Sequence, residues 1–176
     1  MHKIRKQQKK EKVKFFDNKS NIIKTAVIGS ALFIIIVILM LIESGEGMTE
    51  IKNDTDLKLE YVKAYFVNAE EAMDEDITFD AINAGASDKK TTGNHNLYGQ
   101  NANLEVRFKF EGHEELFVDA GIFNDDFSGN ITIDFEQLNQ EDIQLNIKAK
   151  SGLFNSSLID CNEEYTVKLS EGYVAE

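Results

Sequence analysis

Asn103-Leu-Glu-Val-Arg-Phe-Lys-Phe110 decides the fold. Leu104, Val106, Phe108 and Phe110 alternate with Asn103, Glu105, Arg107 and Lys109. Successive side chains of a strand point to opposite faces, so this period of two describes a strand with one buried and one wet face. The same alternation recurs on the C-terminal side. It runs through Ile131, Ile133 and Phe135, through Ile143, Leu145, Ile147 and Ala149, and through Tyr165, Val167 and Leu169. Residues 116–123 read as a further strand, apolar on both faces in places. Gly112-His113, residues 124–129, Asn139-Gln140-Glu141 and Ser151-Gly152 punctuate these runs as turns.

On the N-terminal side, Leu57, Leu59 and Tyr61 alternate, Tyr65-Phe66-Val67 favours strand, and Ile77, Phe79 and Ala81 form another. Residues 68–73 suit a helical turn, and the wholly polar 87–96 suits a loop. About seven strands joined by short turns predict an all-β, antiparallel β-sandwich over residues 57–176.

Upstream stands a different kind of segment. Thr25-Ala-Val-Ile-Gly-Ser-Ala-Leu-Phe-Ile-Ile-Ile-Val-Ile-Leu-Met-Leu-Ile42 carries no charge and lies between Lys24 and Glu43. As a helix it covers ~27 Å, close to the ~30 Å hydrocarbon core of a bilayer. Residues 21–42 are therefore expected to form a transmembrane helix, residues 1–20 a basic arm, and residues 43–56 a linker. The net charge of −12 conceals an asymmetry. Residues 1–24 hold nine Lys or Arg against Glu11 and Asp17, a net of +7, and the remainder carries −19. The positive-inside rule places the arm in the cytoplasm and the acidic domain outside. So acidic a domain argues against nucleic acid as a ligand, since phosphate is repelled.

The apolar stretch is longer than a signal-peptide core, and Gly45 and Gly47 make a poor cleavage site, so an uncleaved anchor is expected. Cys161, the only cysteine, is far from the span; it provides neither a lipobox nor an intrachain disulfide and reads as a buried small hydrophobe. Phe15 and Phe16 are expected at the membrane interface. The lack of proline and the wealth of Ile, Lys and Asn suit a low-GC bacterium.

From residue 96 onward, the order of features resembles the bacterial immunoglobulin-like modules of surface proteins and adhesins. The residues that carry this resemblance are Leu97-Tyr-Gly99 before the strand at 104–110, Ser128-Gly-Asn-Ile-Thr-Ile-Asp-Phe-Glu-Gln-Leu138, and Ile143-Gln-Leu-Asn-Ile-Lys-Ala-Lys-Ser-Gly152 followed by Asn155-Ser-Ser157. It covers residues 96–170 and implies an immunoglobulin-like sandwich at a bacterial cell surface. Lys150 stands where those modules usually have Asp.

Asn124-Asp-Asp-Phe-Ser-Gly129 is the most site-like stretch. Asn124, Asp126 and Ser128, with Gly129 after them, match the alternating oxygen donors and sharp-turn glycine of a calcium loop, and Ile131 suits its apolar position. The twelfth position is Phe135 instead of a bidentate Glu, and strands flank the stretch. An Asx-rich hairpin turn is the competing reading. Glu70, Glu71, Asp74, Glu75 and Asp76 read as a solvated acidic turn. His95 and His113 lack partners at metal-ligand spacing. Ser156, Ser157, Cys161 and His113 lack the context of a nucleophile and base. Asn53, Asn130 and Asn155 begin glycosylation sequons, taken as chance in an Asn-rich chain.

No catalytic constellation emerges, and a non-enzymatic domain is expected. Two functions fit: a membrane-anchored cell-surface binding or adhesive module that meets a protein or surface ligand, or an accessory subunit of an envelope machine for secretion, conjugation or division. In the second, small residues Gly29, Ser30 and Ala31 would let helices approach.

Overall fold

In a computed structural model of the chain, residues 19–43, 47–69, 71–73, 76–152, 156–170 and 173–175 are described. The chain divides into two units, at Ser44 and Gly45. The N-terminal unit contains one helix, α1 (Lys19–Glu43). Its stretch Ile22–Met40 is long and apolar enough to cross a membrane, and its large hydrophobic side chains point outward on all sides. A helix without a polar stripe has no wet face to offer a soluble fold. The basic arm, with Phe15 and Phe16, lies outside the described residues up to position 18.

Among the described residues the C-terminal unit is all β, in twelve strands: β1 (Met48–Asp54), β2 (Leu59–Asn68), β3 (Glu71–Ala72), β4 (Ile77–Phe79), β5 (Ala86–Thr91), β6 (Ala102–Phe110), β7 (Glu115–Phe123), β8 (Asn130–Gln137), β9 (Asp142–Lys150), β10 (Ile159–Asp160), β11 (Asn162–Lys168) and β12 (Tyr173–Ala175). The first sheet runs β12-β11-β9-β8-β1-β5; the second runs β10-β7-β6-β2-β3, with β4 also paired to β2. All pairs are antiparallel except β1 with β8. One buried cluster joins the sheets, with Ile51, Ile133, Phe135 and Ile147 from the first against Val62, Phe66, Val106 and Phe108 from the second. The Phe135 ring meets Phe108 edge-on at 5.0 Å and Phe110 at 5.6 Å. These contacts make the domain a β-sandwich.

Three expectations are corrected. Residues 48–54, read as part of a linker, form β1, an interior strand of the first sheet beside its edge strand β5, with Ile51 opposite Asp88 on one side and Ile133 on the other. Its inward positions include Thr49 and Asn53, both fully buried, so the strand lacks an apolar period. Hydrogen bonds make that burial tolerable: Thr49 Oγ1 shares a proton with Thr92 Oγ1 at 2.9 Å, and Asn53 Nδ2 donates to the Leu57 carbonyl at 2.8 Å. Within the stretch read as a loop, 87–91 belong to β5, an edge strand held by backbone pairing to β1; exposed side chains leave no hydrophobic signal. The stretch 68–73 turns through Ala69 in a left-handed conformation (φ 46°) and pairs β3 back onto β2 instead of coiling.

Candidate interaction surface

The two outer faces of the sandwich differ in chemistry. Across the first sheet, the cross-strand rows are Glu50–Thr132–Lys148 and Lys52–Asp134–Asn146–Glu164. These outward side chains are polar or charged throughout. Across the second sheet, β2, β6 and β7 align Tyr61–Lys109–Glu115, Lys63–Arg107–Phe117 and Tyr65–Glu105–Asp119. This face has two tyrosines, a phenylalanine and an arginine, the residue types enriched at interface centres.

Arg107 ties this face together. Its Nε donates to the Tyr65 hydroxyl at 2.6 Å and to Glu105, and a terminal nitrogen donates to Glu115 at 3.1 Å. Its guanidinium also lies over the Phe117 ring, 5.0 Å from the centroid. Tyr61 donates to Glu115 and Tyr65 to Glu105. At the margin, Lys109 pairs with Glu60 at 2.8 Å. The hydrogen bond to Glu115, followed by burial, pushes the Tyr61 hydroxyl up to about 12. The same bond from Tyr61, reinforced by Arg107, holds Glu115 below the usual carboxylate range despite partial burial. Burial first and then the hydrogen bond to Glu105 raise Tyr65. The shifts favour neutral tyrosines and a charged Glu115, and the hydrogen bonds pre-order the aromatic and guanidinium surfaces of the cluster.

The cluster ends at β7, where a bulge around Gly121 shifts the register. Side chains of β11 close the sandwich there: Gly121 N–H donates to Glu163 at 2.7 Å, and the Tyr165 hydroxyl donates to the Asp119 carbonyl at 2.8 Å. Beyond the bulge, Ile122 returns to the outer face, 57 % exposed; Phe117 is 52 % exposed.

The stretch proposed as a calcium loop links neighbouring loops. Asn124 Oδ1 accepts the Asn101 N–H at 3.2 Å, and Asp126 Oδ1 accepts the Tyr98 N–H at 3.2 Å. Asp125 accepts the Ser156 hydroxyl at 2.6 Å, while the Ser128 carbonyl accepts the Gly47 N–H at 3.0 Å. Among the described residues, no group of three or more His, Cys, Asp or Glu is placed to hold a metal ion. Glu70, Asp74, Glu75 and Asn155 lie outside the described residues.

His95 is buried against the Phe66 ring, with a centroid distance of 4.6 Å, and its Nε2 bonds the Thr92 carbonyl at 2.8 Å. His113 sits in the β6–β7 turn, at the opposite end of β7 from the β10 pairing and Cys161. Cys161 is buried, and that burial pushes its thiol up to about 12, so the thiolate is suppressed. Asn53, the first residue of its sequon, is fully buried, whereas Asn130 is exposed and accepts the Met48 N–H.

No protein family, no curated protein and no solved structure matches the chain.

The linear pattern does not reveal the cluster on the second sheet. Alternation places Glu105, Arg107 and Lys109 together, but Tyr61 falls in phase with Leu57 and Leu59. A register shift between Leu59 and Tyr61 turns Tyr61 outward, beside Lys109. The phase break between Leu59 and Val62, both fully buried three residues apart, is the one trace of this in the sequence.

Proposed function

We propose that this chain is a single-pass membrane protein whose β-sandwich lies outside the cytoplasm and acts as a non-enzymatic binding module of the cell surface. The observation that carries the reading is the concentration of Tyr61, Tyr65, Arg107 and Phe117 on one outer face, whereas the other carries the polar rows Glu50–Thr132–Lys148 and Lys52–Asp134–Asn146–Glu164. A pre-ordered aromatic and arginine surface loses little side-chain entropy on association. Support for the orientation comes from the +7 arm before α1 and the −19 domain after it.

Two measurements test the proposal in cells expressing the full chain. In a Cys161→Ser background, Lys148→Cys is expected to react with a membrane-impermeant maleimide in intact cells, and Lys6→Cys only after lysis; the reverse pattern overturns the orientation. A photo-crosslinking benzoylphenylalanine at position 117 is expected to trap a partner that the same probe at position 148 does not. Equal trapping at both positions, or none, overturns the binding face. Exchange of α1 for an unrelated span is expected to preserve trapping at 117; loss of trapping favours the accessory-subunit reading, in which the helix itself meets a partner.

A further inference from the structure

Taking that face as the binding surface, we infer that its occupant is a basic protein segment, which sets apolar side chains on Phe117 and Ile122 and a lysine or arginine at Asp119. The inference starts from the charges left over after the internal pairing on β6 and β7; Lys63, on β2, lies over the Tyr61 ring, 5.8 Å from its centroid. Arg107 is bound to Glu105 and Glu115, and Lys109 to Glu60. Glu163 is engaged by Gly121 N–H and the Tyr165 hydroxyl. Asp119, in contrast, has a carboxylate with no hydrogen bond or ion pair among the described residues. It lies between the two exposed apolar side chains of β7, Phe117 and Ile122. Asp160 stands opposite Ile122 on β10, and Leu158, also exposed, precedes that strand. Partial burial and then the neighbouring Glu105 raise the Asp119 pKa against the opposing charge of Arg107.

The outer face of β7 thus presents an apolar–acidic–apolar row within a domain of strong negative charge. Charge complementarity selects a cationic occupant and disfavours the alternatives. A second copy of this domain brings its own −19, and nucleic acid or an anionic polymer meets the same repulsion. The spacing of Phe117, Asp119 and Ile122 along one strand, with one intervening bulge, suits an extended segment alternating apolar and basic residues.

The test uses the full chain in nanodiscs of zwitterionic lipid, with an alternating lysine–leucine peptide and its glutamate–leucine counterpart as probes and empty nanodiscs as the blank. The lysine peptide is expected to bind and the glutamate peptide not to. Phe117→Ala and Asp119→Asn, both at exposed positions, are each expected to weaken binding at least about tenfold, while Glu164→Gln on the other sheet leaves it unchanged. Failure of the lysine peptide to bind overturns the inference. So does equal weakening by all three variants, since that reports only attraction to an acidic domain. Sequencing of the segment trapped by the probe at position 117 separates the two proposals: a trapped segment without basic residues overturns the occupant and keeps the face, whereas no trapping overturns both.

Discussion

Gly121 faces Cys161 so closely that a methyl group on Gly121 would lie 2.4 Å from the Cys161 Cβ and 2.7 Å from the Asp160 carbonyl oxygen. Gly121 also holds φ +66°, where L side chains are strained. The β7 bulge therefore needs glycine for two reasons: its backbone twist and the approach of β10 and Cys161. Gly121→Ala is expected to destabilise the domain by about 2–4 kcal/mol, read from urea unfolding. Adding Cys161→Ala retains the offending Cβ and is not expected to restore stability.

Asn53 is the polar keystone of β1. Its Nδ2 lies 2.8 Å from the Leu57 carbonyl and 3.2 Å from those of Ile82 and Asn83, and its Oδ1 accepts the Thr55 hydroxyl at 2.7 Å. Truncation withdraws one of the two donors at each carbonyl, since Leu59 N–H, Ala86 N–H and the Thr55 hydroxyl still reach those of Ile82, Asn83 and Leu57, so Asn53→Ala is expected to cost about 1–2 kcal/mol in denaturant unfolding. Asn53→Asp keeps the shape but turns a carboxylate toward three carbonyls. Its folded pKa should rise above that of the unfolded chain, so its penalty should be larger at pH 7 than at acid pH.

Glu115 supplies the acid limb of the stability curve on the second sheet. Its folded pKa is lowered, first by the Tyr61 hydrogen bond and then by Arg107, against the opposing effect of burial. A carboxyl with a depressed folded pKa contributes its full stabilisation above its unfolded value of ~4.3 and loses it as pH falls through the folded value. Tyr61→Phe is expected to lower the melting temperature at pH 7 and to converge with the parent chain as the pH drops below that range.

Asp134 behaves in the opposite sense. Its Oδ1 is buried with no hydrogen-bond partner among the described residues, and burial outweighs the nearby Lys52 to raise its pKa. An acid whose folded pKa is raised destabilises the fold while ionised in both states. That penalty is present above the folded pKa and disappears as pH falls below the unfolded value of ~3.9. Asp134→Asn is expected to raise the melting temperature at pH 7, with the gain shrinking toward acid pH. An unchanged melting temperature at both pH values would show that the side chain is solvated.

Arg107 and Glu105 are expected to be energetically coupled. The Glu105 side chain is only 12 % exposed and bonds both Tyr65 and Arg107. Arg107→Met leaves that carboxylate with the tyrosine alone, and a loss of about 1–3 kcal/mol is expected. In a double-mutant cycle with Glu105→Gln, the combined loss should be smaller than the sum of the two single losses.

Legibility followed apolar periodicity. The strands around Leu104, Ile133, Ile147 and Val167 were readable because their inward residues are aliphatic or aromatic, and a period of two has one structural meaning. β1 and β5 were not, because Thr49 and Asn53 face inward through hydrogen bonds, and β5 is held by backbone pairing with no buried face of its own. Asn124 and Asp126 were visible as oxygen donors, but their attachment to the N–H groups of Asn101 and Tyr98 depends on loops brought together by the sandwich.

By itself, the sequence determined that this chain has one stretch able to span a bilayer, a strong charge asymmetry across it, and a downstream β-domain with amphipathic strands. Those properties are local, set by composition and by the two-residue repeat of a strand. Only the tertiary structure decided that Tyr61, Tyr65, Arg107, Glu115 and Phe117 share one face, and that the Asp119 carboxylate stands between Phe117 and Ile122 with no hydrogen bond or ion pair among the described residues. Cross-strand register and two local irregularities, at Leu59/Tyr61 and at Gly121, set those relationships; a regular two-residue period encodes neither, and β2 betrays the first only as the phase break between Leu59 and Val62.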